Sequence, residues 1–538
     1  MTPLSPTTAA TTAATTTAAN SPVITTTTPL AATRRTAAPS RRIRRPVPLT
    51  GLHIHFVGIG GSGMSGLARL AKARGAIVTG SDQADGPTIE MLSGAGINVT
   101  LEQTAESIPK DCEMVVISAA IKADHPEVIE AKARELRVVK YSRMLGDLML
   151  GRIGISIAGT HGKSSTTSMT SHVLIQNNFD PSFIVGAHCE QIGGGFRCGE
   201  GEHLVAEACE FDRSFHNHRP TFGVILNVEE DHLDYYKNLE EIVESFADFA
   251  RKLPAKEDGG YLLINHEMPH RLAITGGLSC DVESIGFAPQ ADWQVVVEKA
   301  AGGFAPSADN TSTSANTVRL LHKGEMVAQW LSPLPGDHMC YNAAVAAVLA
   351  HRAGGTWDGI AKAIESFRGL DRRMQLMGVR QVVGFAGAIS ALSADELAAR
   401  RADHVTVVDD YGHHPTEVET TLRALRRHYN PRRLICVFQP HQHSRTRFLL
   451  EQFAASFAEA DLVIVPHIYF VRDSKREQHA VKAADLVDRL RQRGKAAMHL
   501  YPFEAIIDQL DLMVRPGDLV VTMGAGDVWR IARSFLKK

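Results

Sequence analysis

Cysteine is scarce and unpatterned in this 538-residue chain. Its seven cysteines, at 112, 189, 198, 209, 280, 340 and 436, are odd in number and contain no Cys-x-x-Cys pair. That argues against a disulfide framework and against structural zinc, and it points to a reduced, cytoplasmic setting. No apolar run reaches the roughly 18 residues needed to cross a bilayer. Net charge is only −2, so no global field directs the chain to nucleic acid or to an anionic membrane. Acidic residues are missing altogether before Asp82. Residues 1–50 instead hold Thr, Ala, Pro and Ser, with a late basic cluster at Arg34, Arg35, Arg41, Arg42, Arg44 and Arg45. Such a stretch cannot bury enough apolar surface to fold, and we read it as a disordered tail rather than a transit peptide.

The remaining length suits two to four domains. The most informative stretch runs from Gly154 to Thr167, Gly-Ile-Ser-Ile-Ala-Gly-Thr-His-Gly-Lys-Ser-Ser-Thr-Thr. A β-branched run (Ile153, Ile155, Ile157) enters a turn carrying Gly159 and Gly162, and Lys163 with a block of hydroxyls opens a helix, expected to be amphipathic and to end near Gln176. Strand, glycine turn and helix N-terminus bring backbone N–H groups and one ammonium to a point, as a polyphosphate requires. Lys163 then meets the outer phosphates and the Ser164 hydroxyl can ligate Mg²⁺. The usual first glycine of such loops is Ile157 here, which makes the turn shorter.

Upstream, the strand His53–Val57 leads into Gly58-x-Gly60-x-x-Gly63 and a helix to about Arg74. The glycines let a diphosphate approach the helix N-terminus, and Asp82, after the next strand, stands where a ribose-binding acid is expected. Acidic strand ends follow the phosphate loop: Glu207, Glu210 and Asp212 after one β-run, then Asn227 to Asp234, including His232, after the next. Hard oxygen and imidazole ligands there fit Mg²⁺ on nucleotide phosphates. Residues 290–334 have the look of β-rich decoration with a loose polar loop at 305–316, and a helix is expected from about Tyr341 to Ala353. A third α/β unit begins near Phe367, with strands at 405–408, 434–438, 462–465 and 519–522 and a helical insertion at 381–403. It carries Asp409–Glu417 and Phe438–Arg447 at strand ends, where imidazoles and arginines suit a small anionic or zwitterionic substrate. His413 and His414 are adjacent on a loop and should diverge, which speaks against the pair as a transition-metal site.

Taken in order, these motifs resemble the Mur ligases of peptidoglycan synthesis, from about His53 to the C-terminus. Further carriers of the resemblance are Phe367-x-Gly369-x-x-Arg372-Arg373 and Met523-Gly-Ala-Gly-Asp527. It implies a three-domain α/β fold behind the tail: a Rossmann-like UDP-binding domain (51–152), a central P-loop ATPase-like domain (153–366) and a Rossmann-like C-terminal domain (367–538). It also implies ATP-dependent joining of L-alanine to the carboxylate of UDP-N-acetylmuramate through an acyl phosphate. Under it, Gly60, Gly61, Ser62, Gly63, Met64, Ser65 and Asp82 would hold the UDP-sugar. Gly159, Thr160, His161, Gly162, Lys163, Ser164, Ser165, Asn342 and Arg372 would hold ATP. Lys163, Glu207 and His232 would be catalytic, with Ser164, Glu207 and His232 on Mg²⁺, and Tyr411, His413 and Arg445 would meet the amino acid.

This chain departs from the family pattern at Ser164 (for Thr), Cys209 and Phe211 in the acidic motif, Met339 (for Asn) and Gln442 (for Arg). The last removes a charge expected near the amino-acid carboxylate, which Arg447 or His443 would have to replace. Three other readings stand beside this one: a Mur-type ligase that recycles muropeptides, a dinucleotide-dependent oxidoreductase using Gly58–Gly63, and a binding protein without turnover. Oligomeric state is left open by the sequence.

Overall fold

The computed structural model describes residues 48–118, 120–298, 316–382, 404–471, 473 and 475–538. The expected tail up to residue 47, most of the polar loop and most of the 381–403 insertion lie outside these residues.

Three sheets follow one another along the chain. The first has five parallel strands in the order Asn98–Thr100, Ile77–Ser81, His53–Val57, Met114–Ile117, Arg137–Lys140. Its central strand is buried on both faces, as a parallel sheet sandwiched by helices demands. His55 is tolerated there because Glu127 and Thr79 lie 3.3 and 3.0 Å from its ring nitrogens.

The second sheet has ten strands. Ile153–Ala158 sits inside it, parallel to Phe222–Ile225 on one side and His203–Ala208 on the other. The run expected as decoration extends this same sheet: Trp293–Glu298 pairs with Asn316–His322, and that strand with Glu325–Ser332, both antiparallel. The third sheet has an antiparallel edge strand, Gln375–Gln381, beside five parallel strands that run through His404–Asp410, Asp518–Met523 and Arg433–Phe438.

The helix after the phosphate loop, Lys163–Gln176, is not amphipathic: Ser164 to Leu174 are all buried. Its hydroxyls survive burial partly by bonding back along the helix, Thr170 Oγ1 to Thr166 O and Ser171 Oγ to Thr167 O, both at 2.8 Å. Small side chains let it lie against the alanine-rich helix Asp337–Arg352. That helix begins four residues before the expected Tyr341, because Gly336 adopts a φ of 94° and turns the chain into it.

The helix Tyr141–Met149 carries the first sheet onto the second unit. A Cβ at Gly146 would stand 1.9 Å from the Asn217 carbonyl oxygen, and Asn217 Nδ2 donates to Ser142 Oγ at 3.0 Å. Gly146→Ala should therefore cost about 1–3 kcal/mol by overpacking and lower the melting temperature by several degrees. Gly94→Ala, whose new methyl meets nothing within 4 Å, should lower it not at all; calorimetry of the two variants checks this.

Candidate functional site

In the first sheet the glycine turn is closed by the acid that follows the second strand. Asp82 accepts the Gly60 N–H at 2.7 Å and the Ala84 N–H at 3.1 Å. Gly61 precedes the helix Ser62–Ala73, whose first turn holds Gly63, Met64 and Ser65. The Met64 side chain packs into the core, so contact with a ligand falls to the backbone there. Gly63 makes room for Tyr141, whose hydroxyl would lie 2.9 Å from an added Cβ.

The phosphate loop is held from below by Asn227: Thr160 N–H donates to its carbonyl at 3.1 Å and His161 N–H to its side-chain oxygen at 2.7 Å. Gly159 and Gly162 take φ of 146° and 84°. The Asn342 side-chain oxygen would be 3.1 Å from a Cβ on Gly162, so Asn342 sits against the loop. Lys163 bends back onto it. Its ammonium donates to the carbonyls of Gly159 and, at 3.1 Å, Thr160, and to both carboxylate oxygens of buried Glu210 at 3.0 and 3.2 Å. Burial disfavours the charge on this lysine, but Glu210 outweighs it and lifts the ammonium to about 12.

Glu207, on the strand His203–Ala208, accepts the Gly186 N–H. His232, in a left-handed conformation, has Nε2 3.7 Å from Asp231 and 3.9 Å from Glu210. Glu210, Asp231 and His232 thus form a cluster with ligand atoms within 4.8 Å of one another. All three belong to the acidic strand ends that the sequence offered to Mg²⁺, although the family resemblance singled out only His232 among them. Two carboxylates and an imidazole beside a phosphate loop suit a hard divalent cation.

The C-terminal unit closes on this loop through a polar seam. Arg445 donates Nε and Nη2 to Asp231 Oδ1 at 3.1 and 2.8 Å. Burial would raise the Asp231 carboxyl, yet Arg445 holds it well below the usual range. Thr416 Oγ1 donates to Glu229 at 2.5 Å, and Gln442 Nε2 reaches Asp234 at 3.5 Å. Of the residues offered as substitutes for the missing arginine, Arg447 is paired with Glu477 and His443 lies 3.5 Å from Asp473. Arg445, His413, Tyr411 and His441 lie together: the Tyr411 and His413 rings are 5.3 Å apart, those of His413 and His441 5.6 Å, and Arg445 Nη1 is 3.4 Å from His441 Nδ1. Burial keeps His413 neutral, down to about 3.

Arg372 is turned inward, onto Asp409 at 3.1 Å and the Gly524 carbonyl at 2.6 Å. Its neighbour Arg373 instead lines a cavity of about 330 Å³ between the two units, with His161, Asn265, Phe287, Tyr341 and Asn342. Asn265, Phe287 and Tyr341 carried no motif, and only the fold gathers them.

His161 spans the seam, with Nδ1 3.2 Å from Glu417 and Nε2 3.5 Å from Glu229. Burial opposes its charge, but Glu417 and Glu229 outweigh it and raise the imidazole from 6.5 to about 9. A pKa raised on folding gives stability that is complete below 6.5 and lost as pH rises through about 9. In chelator-treated protein, the melting temperature should drop between pH 7 and 10 by several degrees more than in His161→Gln; equal drops would refute the assignment.

Three family profiles match the chain: the Mur ligase family catalytic domain over residues 53–152, the Mur ligase middle domain over 157–350, and the Mur ligase glutamate ligase domain over 396–526. The UDP-N-acetylmuramate–L-alanine ligase of Acetivibrio thermocellus is 34% identical over 90% of this chain and 96% of its own length. The enzyme of the same name from Desulforamulus reducens is 35% identical over 90% and 97%. Among solved structures, the UDP-N-acetylmuramate–alanine ligase of Thermotoga maritima superposes with a TM-score of 0.68 at 22% identity, covering 90% of this chain and 98% of that one. With a shared three-part fold and this breadth of similarity, the chain belongs to the Mur ligase family.

Proposed function

We propose that this protein joins L-alanine to the carboxylate of UDP-N-acetylmuramate in peptidoglycan precursor synthesis, with ATP converted to ADP and phosphate. The observation that carries the reading is the convergence of Lys163, the Glu210–Asp231–His232 cluster and Arg445 at one seam, in a chain similar to alanine ligases over 90% of its length. ATP dependence is general to the family.

In this reading the glycine turn Gly60–Gly61 and the first helical turn receive the UDP diphosphate. The cavity lined by Phe287, Tyr341, Asn265 and Asn342 offers aromatic faces and amides to the adenine. The triphosphate runs along Gly159–Ser165, where Lys163 exchanges Glu210 for the outer phosphates. Ser164, Glu207 and His232, with Glu210 and Asp231 alongside, would hold Mg²⁺, which supplies charge neutralisation on the transferring phosphoryl group. The terminal phosphoryl group leaves ADP for a muramate carboxylate oxygen. The amine nitrogen then attacks the acyl carbon, the bond to phosphate breaks, and amide, inorganic phosphate and a proton result. Positioning of charge, rather than a protein nucleophile, carries this chemistry. Arg445, with Tyr411 and His413 beside it, is the group left to hold the amino-acid carboxylate. No helix among the described residues is long and apolar enough to cross a membrane, and the cytoplasm is the proposed setting.

Phosphate release should require ATP, UDP-N-acetylmuramate and an amino acid together, with mass spectrometry identifying UDP-N-acetylmuramoyl-L-alanine. Turnover independent of the amino acid would contradict the proposal. Lys163→Ala should reduce kcat by roughly 10²–10³-fold or more. L-alanine should support turnover and the tripeptide L-alanyl-γ-D-glutamyl-meso-diaminopimelate should not; the reverse would make this a peptide-adding member of the family.

A further inference from the structure

We infer that the seam carries a second cation site, formed by His161, Glu229 and His414, that takes a divalent transition metal of the zinc and cobalt class. Its three members come from the phosphate loop, the loop after the strand Phe222–Ile225, and the residue before the helix Pro415–Tyr429. Their donor atoms all lie within 4.8 Å of one another. One oxygen of Glu229 is 3.5 Å from His161 Nε2 and 3.9 Å from His414 Nδ1, and the ring centres are 4.6 Å apart.

The outer contacts aim the inner atoms. His161 Nδ1 faces Glu417 at 3.2 Å, while its buried Nε2 makes no hydrogen bond among the described residues, and a cation bound there takes the place of the Nε2 proton that faces Glu229. His414 Nε2 faces the Glu230 carbonyl at 3.1 Å. Each imidazole thus has its far nitrogen occupied by an acceptor and its near nitrogen turned to Glu229, the arrangement that orients metal-bound histidines. Thr416 N–H reaches His414 Nδ1 at 3.3 Å, a long contact that a cation would replace.

Two imidazoles and one carboxylate select zinc-class ions over Mg²⁺. His161, Glu229, Thr416 and Glu417 also line the cavity, so a fourth coordination position opens onto it. The adjacent pair His413–His414 diverges as its spacing predicts, and the partner of His414 comes from the phosphate loop instead. A bound cation would tie the central unit to the C-terminal one. The inference does not depend on which amino acid or sugar the enzyme uses.

The test is a Co²⁺ titration of the full chain, stripped with chelator and kept in millimolar Mg²⁺, read by visible absorption and melting temperature. One Co²⁺ per chain with d–d bands, and a higher melting temperature, are expected. His414→Ala and Glu229→Gln should each weaken Co²⁺ binding at least tenfold, with folding verified by circular dichroism. Lys163→Ala should keep the bands while losing turnover, so failure here is distinct from failure of the ligase reading. Absence of Co²⁺ bands in the unaltered protein, or bands unchanged in both seam variants, would overturn the site and leave a hydrogen-bonded contact only.

Discussion

A half-buried ammonium held by a buried carboxylate organises this molecule. Lys163 lies at the N-terminus of a helix buried from Ser164 to Leu174, on a loop whose glycines turn it back on itself. Charge in that position requires an opposite charge within bonding distance, and Glu210 provides it at 3.0 Å. Glu210 in turn brings His232 and Asp231 to the loop, and Asp231 draws Arg445 from the C-terminal unit. One chain of charges thus runs from the phosphate loop to the residues offered to the amino acid.

Pairs of this kind stabilise little beyond what well-packed apolar residues would, because desolvation offsets most of their attraction. What they set is geometry. Thr416, His414, Gln442 and Arg445 all project onto the single loop Glu229–Asp234, so the two units meet in one register. The cavity of about 330 Å³ exists only because that register holds, since residues of both units line it. A ligand that touches both walls of such a cavity favours the closed register over an open one, and under the proposed reaction that closure would shield an acyl phosphate from water.

Much of this was legible in the sequence. The β-branched runs at 53–57 and 153–157, each followed by glycines, announced parallel strands feeding helix N-termini. What escaped has identifiable physical causes. The hydroxyl-rich helix after Lys163 looked half-polar, yet burial against the alanine-rich helix is made possible by hydroxyls that bond back to their own backbone. Glu207 lies on the strand His203–Ala208 and Glu210 just past its end, and only the folded chain shows that Glu210, not Glu207, reaches the lysine. The bond from the Gly60 N–H to Asp82, which closes the glycine turn, has no signature in the spacing of the two residues. The meeting of His161 with Glu417 and His414 joins residues far apart in the chain, which no spacing rule reaches.

The oxidoreductase alternative explains the first glycine turn but gives no role to Lys163, Glu210 or the seam. The account therefore stands on where a triphosphate goes. A crystal structure of the full chain with a non-hydrolysable ATP analogue and UDP-N-acetylmuramate addresses this most directly. It should show Lys163 Nζ within about 3 Å of a β- or γ-phosphate oxygen and released from Glu210. A triphosphate bound elsewhere, with Lys163 still on Glu210, would contradict the account.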